Sequence, residues 1–143
     1  MTRKKIINII ILFLWMGVIF IMSSFNADDS GSQSGLIVNV LSRFVSIKNI
    51  SMASFIIRKL AHFTEYFILG VLALNCLKDY IAKKDILISI IFCFLYASSD
   101  EFHQTFVPGR AGLFTDVLID SCGAIAGVFF FKFYGLKKVQ HEK

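Results

Sequence analysis

Four apolar stretches divide the 143-residue chain, and each is close to the length that crosses a bilayer. A spanning helix needs about 20 mostly apolar residues. Spans are expected over residues 6–22, 55–77, 86–106 and 113–134. The chain therefore reads as all-α, an integral membrane four-helix bundle forming one domain over residues 1–143. Composition agrees. Hydrophobic residues make up 56%, and the charged fraction is 17%, below the roughly 25% of a soluble domain. Intrinsic disorder is excluded, because it needs low hydrophobicity. Lys and Arg outnumber Asp and Glu by 15 to 10, but they sit at the ends of apolar runs. No basic stripe with interleaved aromatics occurs, so no nucleic-acid partner is expected. The first stretch, behind Arg3-Lys4-Lys5, has some features of a signal peptide. Its apolar core is longer than the usual roughly 7–15 residues, so it reads as an uncleaved first helix.

The third stretch is the instructive one. Its apolar run, Ile86 to Ala97 with Ser89 inside it, is 12 residues, or about 18 Å of helix against a hydrocarbon core of about 30 Å. To cross, the helix must continue through Asp100, Glu101, His103 and Gln104 before Pro108-Gly109 stops it. Ionisable groups at that depth are costly and mark function. The bias of Lys and Arg sets an expected orientation. Nine flank one side (Arg3 to Lys5, Lys78, Lys83, Lys84, Lys132, Lys137, Lys138) and five the other (Arg43, Lys48, Arg58, Lys59, Arg110). Both termini are expected in the cytoplasm, with Pro108 and residues 23–54 outside. Within that outer loop, Leu36 to Ile47 reads as an amphipathic helix. It lies on the outer membrane surface or packs against the other helices. Cys76, Cys93 and Cys122 are odd in number and lack a C-x-x-C, so they read as packing residues rather than a disulfide.

Polar residues recur on three of the helices at one level. Arg58, His62 and Glu65 share a face of the second helix, flanked by Lys59 and Tyr66. Asp100, His103 and Gln104 share a face of the third, with Glu101 adjacent, and the following loop adds Arg110. Asp116 and Asp120 lie one turn apart on the fourth, with Gly123 and Gly127 on the same stripe. The glycines read as close-packing residues, and Asp120 reads either as part of the site or as polar glue between helices. The set holds five carboxylates against three fixed cations, a surplus of two negative charges when the histidines are neutral. In a low dielectric that surplus must be relieved by a proton, a bound cation or water. Such a setting suits acid–base work or ligand capture.

A metal is a weighed alternative, since His62, Glu65, Asp100 or Glu101, His103 and Asp116 are plausible ligands. No full H-E-x-x-H occurs and three cations lie near, so no metal is expected and the residues name no cofactor. Ser98 and Ser99 precede Asp100, but no G-x-S-x-G elbow supports a serine nucleophile. Arg58, Lys59 and Arg110 read as a grip for phosphate or carboxylate.

Three blocks carry a resemblance. They are Arg58-Lys59-Leu60-Ala61-His62-Phe63-Thr64-Glu65-Tyr66, then Ser99-Asp100-Glu101-Phe102-His103-Gln104-Thr105-Phe106-Val107-Pro108-Gly109-Arg110, then Asp116 to Gly123. With them the chain resembles the VanZ-like family from about Lys5 to Tyr134, and the second block is the specific one. The resemblance implies a bacterial cell-membrane protein of four helices and an association with resistance to the glycopeptide teicoplanin. It implies a phenotype rather than a mechanism, and it assigns no catalytic residue. Gly112-Leu113-Phe114 is more apolar than the resemblance leads one to expect.

Two functional readings follow, both on an amphiphile of the outer leaflet such as a lipid-linked cell-wall precursor or a lipoglycopeptide. In the enzymatic one, His62 or His103 exchanges protons with Glu65, Asp100 or Glu101. The three cations hold the anionic group, with Tyr66, Gln104, Asp116 and Asp120 completing the site. In the other, the same cations and the amphipathic helix bind without chemistry. The seven groups His62, Glu65, Asp100, Glu101, His103, Arg110 and Asp116 are expected around one outward-opening cavity.

Overall fold

The computed structural model describes residues 2–25, 32, 35–40, 42, 49–81 and 84–141, with the backbone alone over 135–141. Four long helices order the chain: α1 (Arg3–Ser23), α2 (Ile50–Leu77), α3 (Asp85–Gln104) and α4 (Phe114–His141). All four are long and apolar enough to cross a membrane, and no strand occurs among the described residues. The shortest, α3, has 20 residues and spans about 30 Å, the thickness of a hydrocarbon core. Large apolar side chains such as Phe13, Leu14, Phe102, Phe114 and Phe133 point away from the bundle. That surface suits lipid rather than water.

The expected spans were too short at two ends. α2 begins at Ile50, five residues early, because Asn49 caps it by accepting from the Met52 amide at 3.0 Å. α4 runs on to His141, beyond the span that ends near Tyr134. α3 ends at Gln104, two residues sooner than expected. Thr105, Phe106 and Val107 then donate to carbonyls three residues back, which tightens the exit. Of the expected amphipathic segment, residues 36–40 are helical, with Val38 buried and Leu36, Ile37 and Val40 exposed. Residues 41 and 43–48 lie outside the described residues.

The tightest seam joins α2 and α4. A methyl group added at Gly70 would overlap the Ala124 carbonyl, and one at Gly123 or Gly127 the carbonyls of Phe63 or Phe67. The two backbones are in contact because no Cβ separates them, as at small-residue seams in membranes. Core stripes run along each helix: Tyr66, Leu69 and Ala73 on α2, Cys93 and Ala97 on α3, and Val117, Ala124 and Val128 on α4. Hydrogen bonds along its length pin α1. Trp15 donates to the Glu65 carbonyl at 3.0 Å, and Tyr96 to the Met16 carbonyl at 2.6 Å. Ser23 donates to Asp100 at 2.7 Å. Cys76 and Cys93 are buried and unbridged. Cys122 is exposed and so does not pack in the core, contrary to its sequence reading.

Candidate functional site

Followed toward the end of the bundle where α3 stops and α4 starts, each core stripe turns polar without leaving the interior. Tyr66 leads to His62, Ala97 to Asp100 and Gln104, and Ala124 to Asp120. The glycine seam sets the first two cross-helix pairs. One turn from Gly123, Asp120 Oδ1 lies 3.7 Å from His62 Nδ1. One turn further, Asp116 accepts from Lys59 and from Thr115, the latter at 3.3 Å. A buried relay joins α3 to the following loop and to α1. Arg110 Nη1 donates to Gln104 Oε1 at 3.1 Å, and Gln104 Nε2 reaches Asp100 Oδ2 and Ser23 Oγ at 3.4 Å each. Ser23 completes it at the same Asp100 oxygen.

The loop after α3 is built to place Arg110. Val107 accepts from the Arg110 amide at 3.1 Å, with Pro108 between and Gly109 at φ 74. This is the chemistry of a type II turn, which requires a positive φ at its third residue. The chain then doubles back onto α3. Gly112 lies so close to the Glu101 carbonyl that a Cβ there would overlap it. The Leu113 amide donates to Glu101 Oε2 at 3.0 Å, so the apolar Gly112-Leu113-Phe114 stretch is tied down through its backbone. Burial lowers the pKa of Arg110 and the adjacent Arg58 guanidinium lowers it further, while Asp100, Glu101 and Glu65 act the other way. A guanidinium remains charged under any such shift.

The expected single cavity is three spaces. One, of about 160 Å³, is lined by Arg58, Lys59, His62, Gln104, Arg110 and Asp116, with Phe55 and Leu113 at its apolar side. Glu65 lines a separate groove of about 400 Å³ with Trp15, Leu60 and Ile68. Glu101 borders a third, of about 240 Å³, with Phe102, Gly112 and Phe114. Asp100 and Asp120 line none of these spaces and are buried, at 3% and 0% exposure, and Tyr66 is buried beside Asp100. His103 packs its ring against Phe20 of α1 at 4.5 Å between centroids. The division has a helical cause. Glu65 and His103 are each three residues from His62 and Asp100, a step of about 300°, which turns them toward α1.

Sequence reasoning missed Ser23 and Trp15. Both are on α1, whose contribution to the polar end is one hydroxyl at its last turn. A serine there reads as the end of a span, and nothing in its neighbourhood signals a carboxylate partner 77 residues away.

A family model described as VanZ/LLP1 matches residues 8–135. The chain belongs to the VanZ/LLP1 family. No curated protein and no solved structure matches it. The matched region contains α1 from residue 8 onward, α2, α3, the membrane-length part of α4 and every residue of the polar end, so this VanZ/LLP1 member carries the site within the family's own extent.

Proposed function

We propose that this VanZ-like membrane protein captures the anionic head group of an amphiphile at the outer leaflet. The carrying observation is that Arg58 and Arg110 face one small cavity with no carboxylate within 4.0 Å of either, among the described residues. Both also keep a buried Nε without a partner. Lys59, by contrast, is occupied by Asp116. Two adjacent guanidiniums repel unless an anion lies between them, and their planar forks suit phosphate or carboxylate. A cavity of about 160 Å³ is smaller than the roughly 300–1,000 Å³ of whole-ligand pockets. It suits a charged group whose remainder stays in the membrane. A lipid-linked cell-wall precursor and a lipoglycopeptide both fit that description, and either connects the site to glycopeptide resistance.

The test is the affinity of the purified protein for a polyprenyl pyrophosphate and for a zwitterionic phospholipid. Arg110→Ala or Arg58→Ala should cost about 2–5 kcal/mol toward the anionic lipid, as for a buried charge losing its partner. Equal affinity in wild type and both variants would reject the reading. A sensitive bacterial strain expressing the wild type should tolerate more teicoplanin than one expressing Arg110→Ala.

The orientation belongs to the same proposal: both termini in the cytoplasm and the cavity outside, supported by the Lys-rich ends of all four helices. In a chain freed of its three cysteines, Gly109→Cys should label from outside intact cells and Ala82→Cys should not. The reverse pattern rejects the orientation.

A second reading is supported by His62, which lines the cavity with its Nδ1 3.7 Å from Asp120, near enough for the carboxylate to stabilise a protonated imidazole. Product formation from the bound lipid that is abolished in His62→Gln, with binding intact, distinguishes catalysis from capture.

A further inference from the structure

Beneath the cavity, and separate from its two guanidiniums, three side chains from three helices converge. His62, Asp100 and Asp120 offer ligand atoms that all lie within 4.8 Å of one another. The residues are 8%, 3% and 0% exposed. Among the described residues, His62 Nδ1, Asp100 Oδ1 and both oxygens of Asp120 are buried without a hydrogen-bond partner, as is the Tyr66 hydroxyl beside Asp100. Buried polar atoms are nearly always partnered, and four orphans at one point call for a ligand.

We propose that His62, Asp100 and Asp120 hold a divalent transition-metal ion of the zinc or manganese class. Bonds of about 2.0–2.2 Å place tetrahedral ligand atoms about 3.3–3.6 Å apart, and the His62–Asp120 separation is 3.7 Å. One imidazole with two carboxylates favours a borderline ion over magnesium or calcium, which prefer oxygen alone. The partnered half of the site has the form of an outer shell. Ser23 and Gln104 both donate to Asp100 Oδ2, which fixes the carboxylate and leaves Oδ1 without a partner. Of the nearby cations, Lys59 is paired with Asp116, and Arg58 and Arg110 line the cavity beside His62, with Arg110 donating to Gln104. Asp100 and Asp120 carry two negative charges when ionised, which one dication cancels.

The experiment needs no lipid, so its failure leaves the head-group reading standing. The full chain, purified without a polyhistidine tag, is equilibrated with Zn²⁺ or Mn²⁺, desalted and analysed for metal. One ion per chain is expected in the wild type. His62→Gln and Asp120→Asn should weaken binding by at least tenfold, and Ser23→Ala by about tenfold, as for outer-shell partners. Asp85→Asn, at the opposite end of the bundle, should bind as the wild type does. Co²⁺ loading should give a visible absorption band that His62→Gln lacks. Circular dichroism checks that each variant keeps its helix content, and the milder Ser23→Ala serves if a ligand variant does not fold. No bound ion in the wild type, or full binding in Asp120→Asn, overturns the proposal in favour of a proton shared between His62 and the two carboxylates.

Discussion

The two ends of the bundle are made from the same four helices and treat charge in opposite ways. At the Lys-rich end, every charged group with a described contact is satisfied. Asp85 accepts from Lys132 at 3.1 Å and from its neighbour's amide at 2.9 Å. Lys5 donates to the Asp79 carbonyl and lies over the Tyr80 ring, and Lys78 lies over Phe131. These are anchors, partly exposed and short of demands. At the cavity end, Arg58, His62, Asp100, Glu101, Arg110 and Asp120 all keep at least one buried polar atom without a partner. The difference teaches where selection for stability stops. Asn8 keeps one buried orphan toward the Lys-rich end, but the charged orphans gather at the other end, where the proposed ligands would meet them.

The contrast breaks most severely at the seam that supports the cavity end. Gly123→Leu forces α2 and α4 apart at Phe63 and should cost about 3 kcal/mol, the upper range for overpacking, with loss of anionic-lipid binding. Unfolding in mixed detergent micelles measures the stability. A variant as stable as the wild type would show that the seam does not organise the site. The next change sharpens the contrast. In chelator-treated protein, Asp120→Leu should raise stability by about 1–3 kcal/mol, because it removes a buried group that lacks a partner. The same variant should lose metal. A drop in stability would mean that the carboxylate is satisfied in the folded protein, and the two ends would then be alike. The smallest effect is expected at the anchor end. Asp85→Asn breaks a partly exposed ion pair and should cost at most about 1 kcal/mol, with lipid affinity unchanged.

Much of the cavity end was legible in the sequence because its polar residues occupy core positions. Lys59 and His62 on one helix, with Asp116 and Asp120 on another, are each about one turn apart, which lets Lys59 meet Asp116 and His62 meet Asp120. Depth was legible from α3, whose apolar part is too short to cross alone. Azimuth was not. Glu65 and His103 share broad faces with His62 and Asp100, and a helical wheel does not tell which flank of a face a third helix will cover. α1 covers that flank, and its sequence is apolar almost throughout, so only Trp15 and Ser23 mark its packing direction with polar side chains that bond across the bundle core. The early start of α2 was hidden for a similar reason, since Asn49 caps through a side chain that a polar loop also uses.

The doubled-back loop of residues 105–113 has a kinetic consequence. Its type II turn, the contact of Gly112 with α3 and the bond from Leu113 to Glu101 leave Arg110 standing on a fixed rim rather than on a lid. A rim formed at folding has no closing step to wait for, and the entropy of arranging its guanidinium is lost before any ligand arrives. Head-group variants that fit the cavity should therefore enter at similar rates and differ in how long they stay.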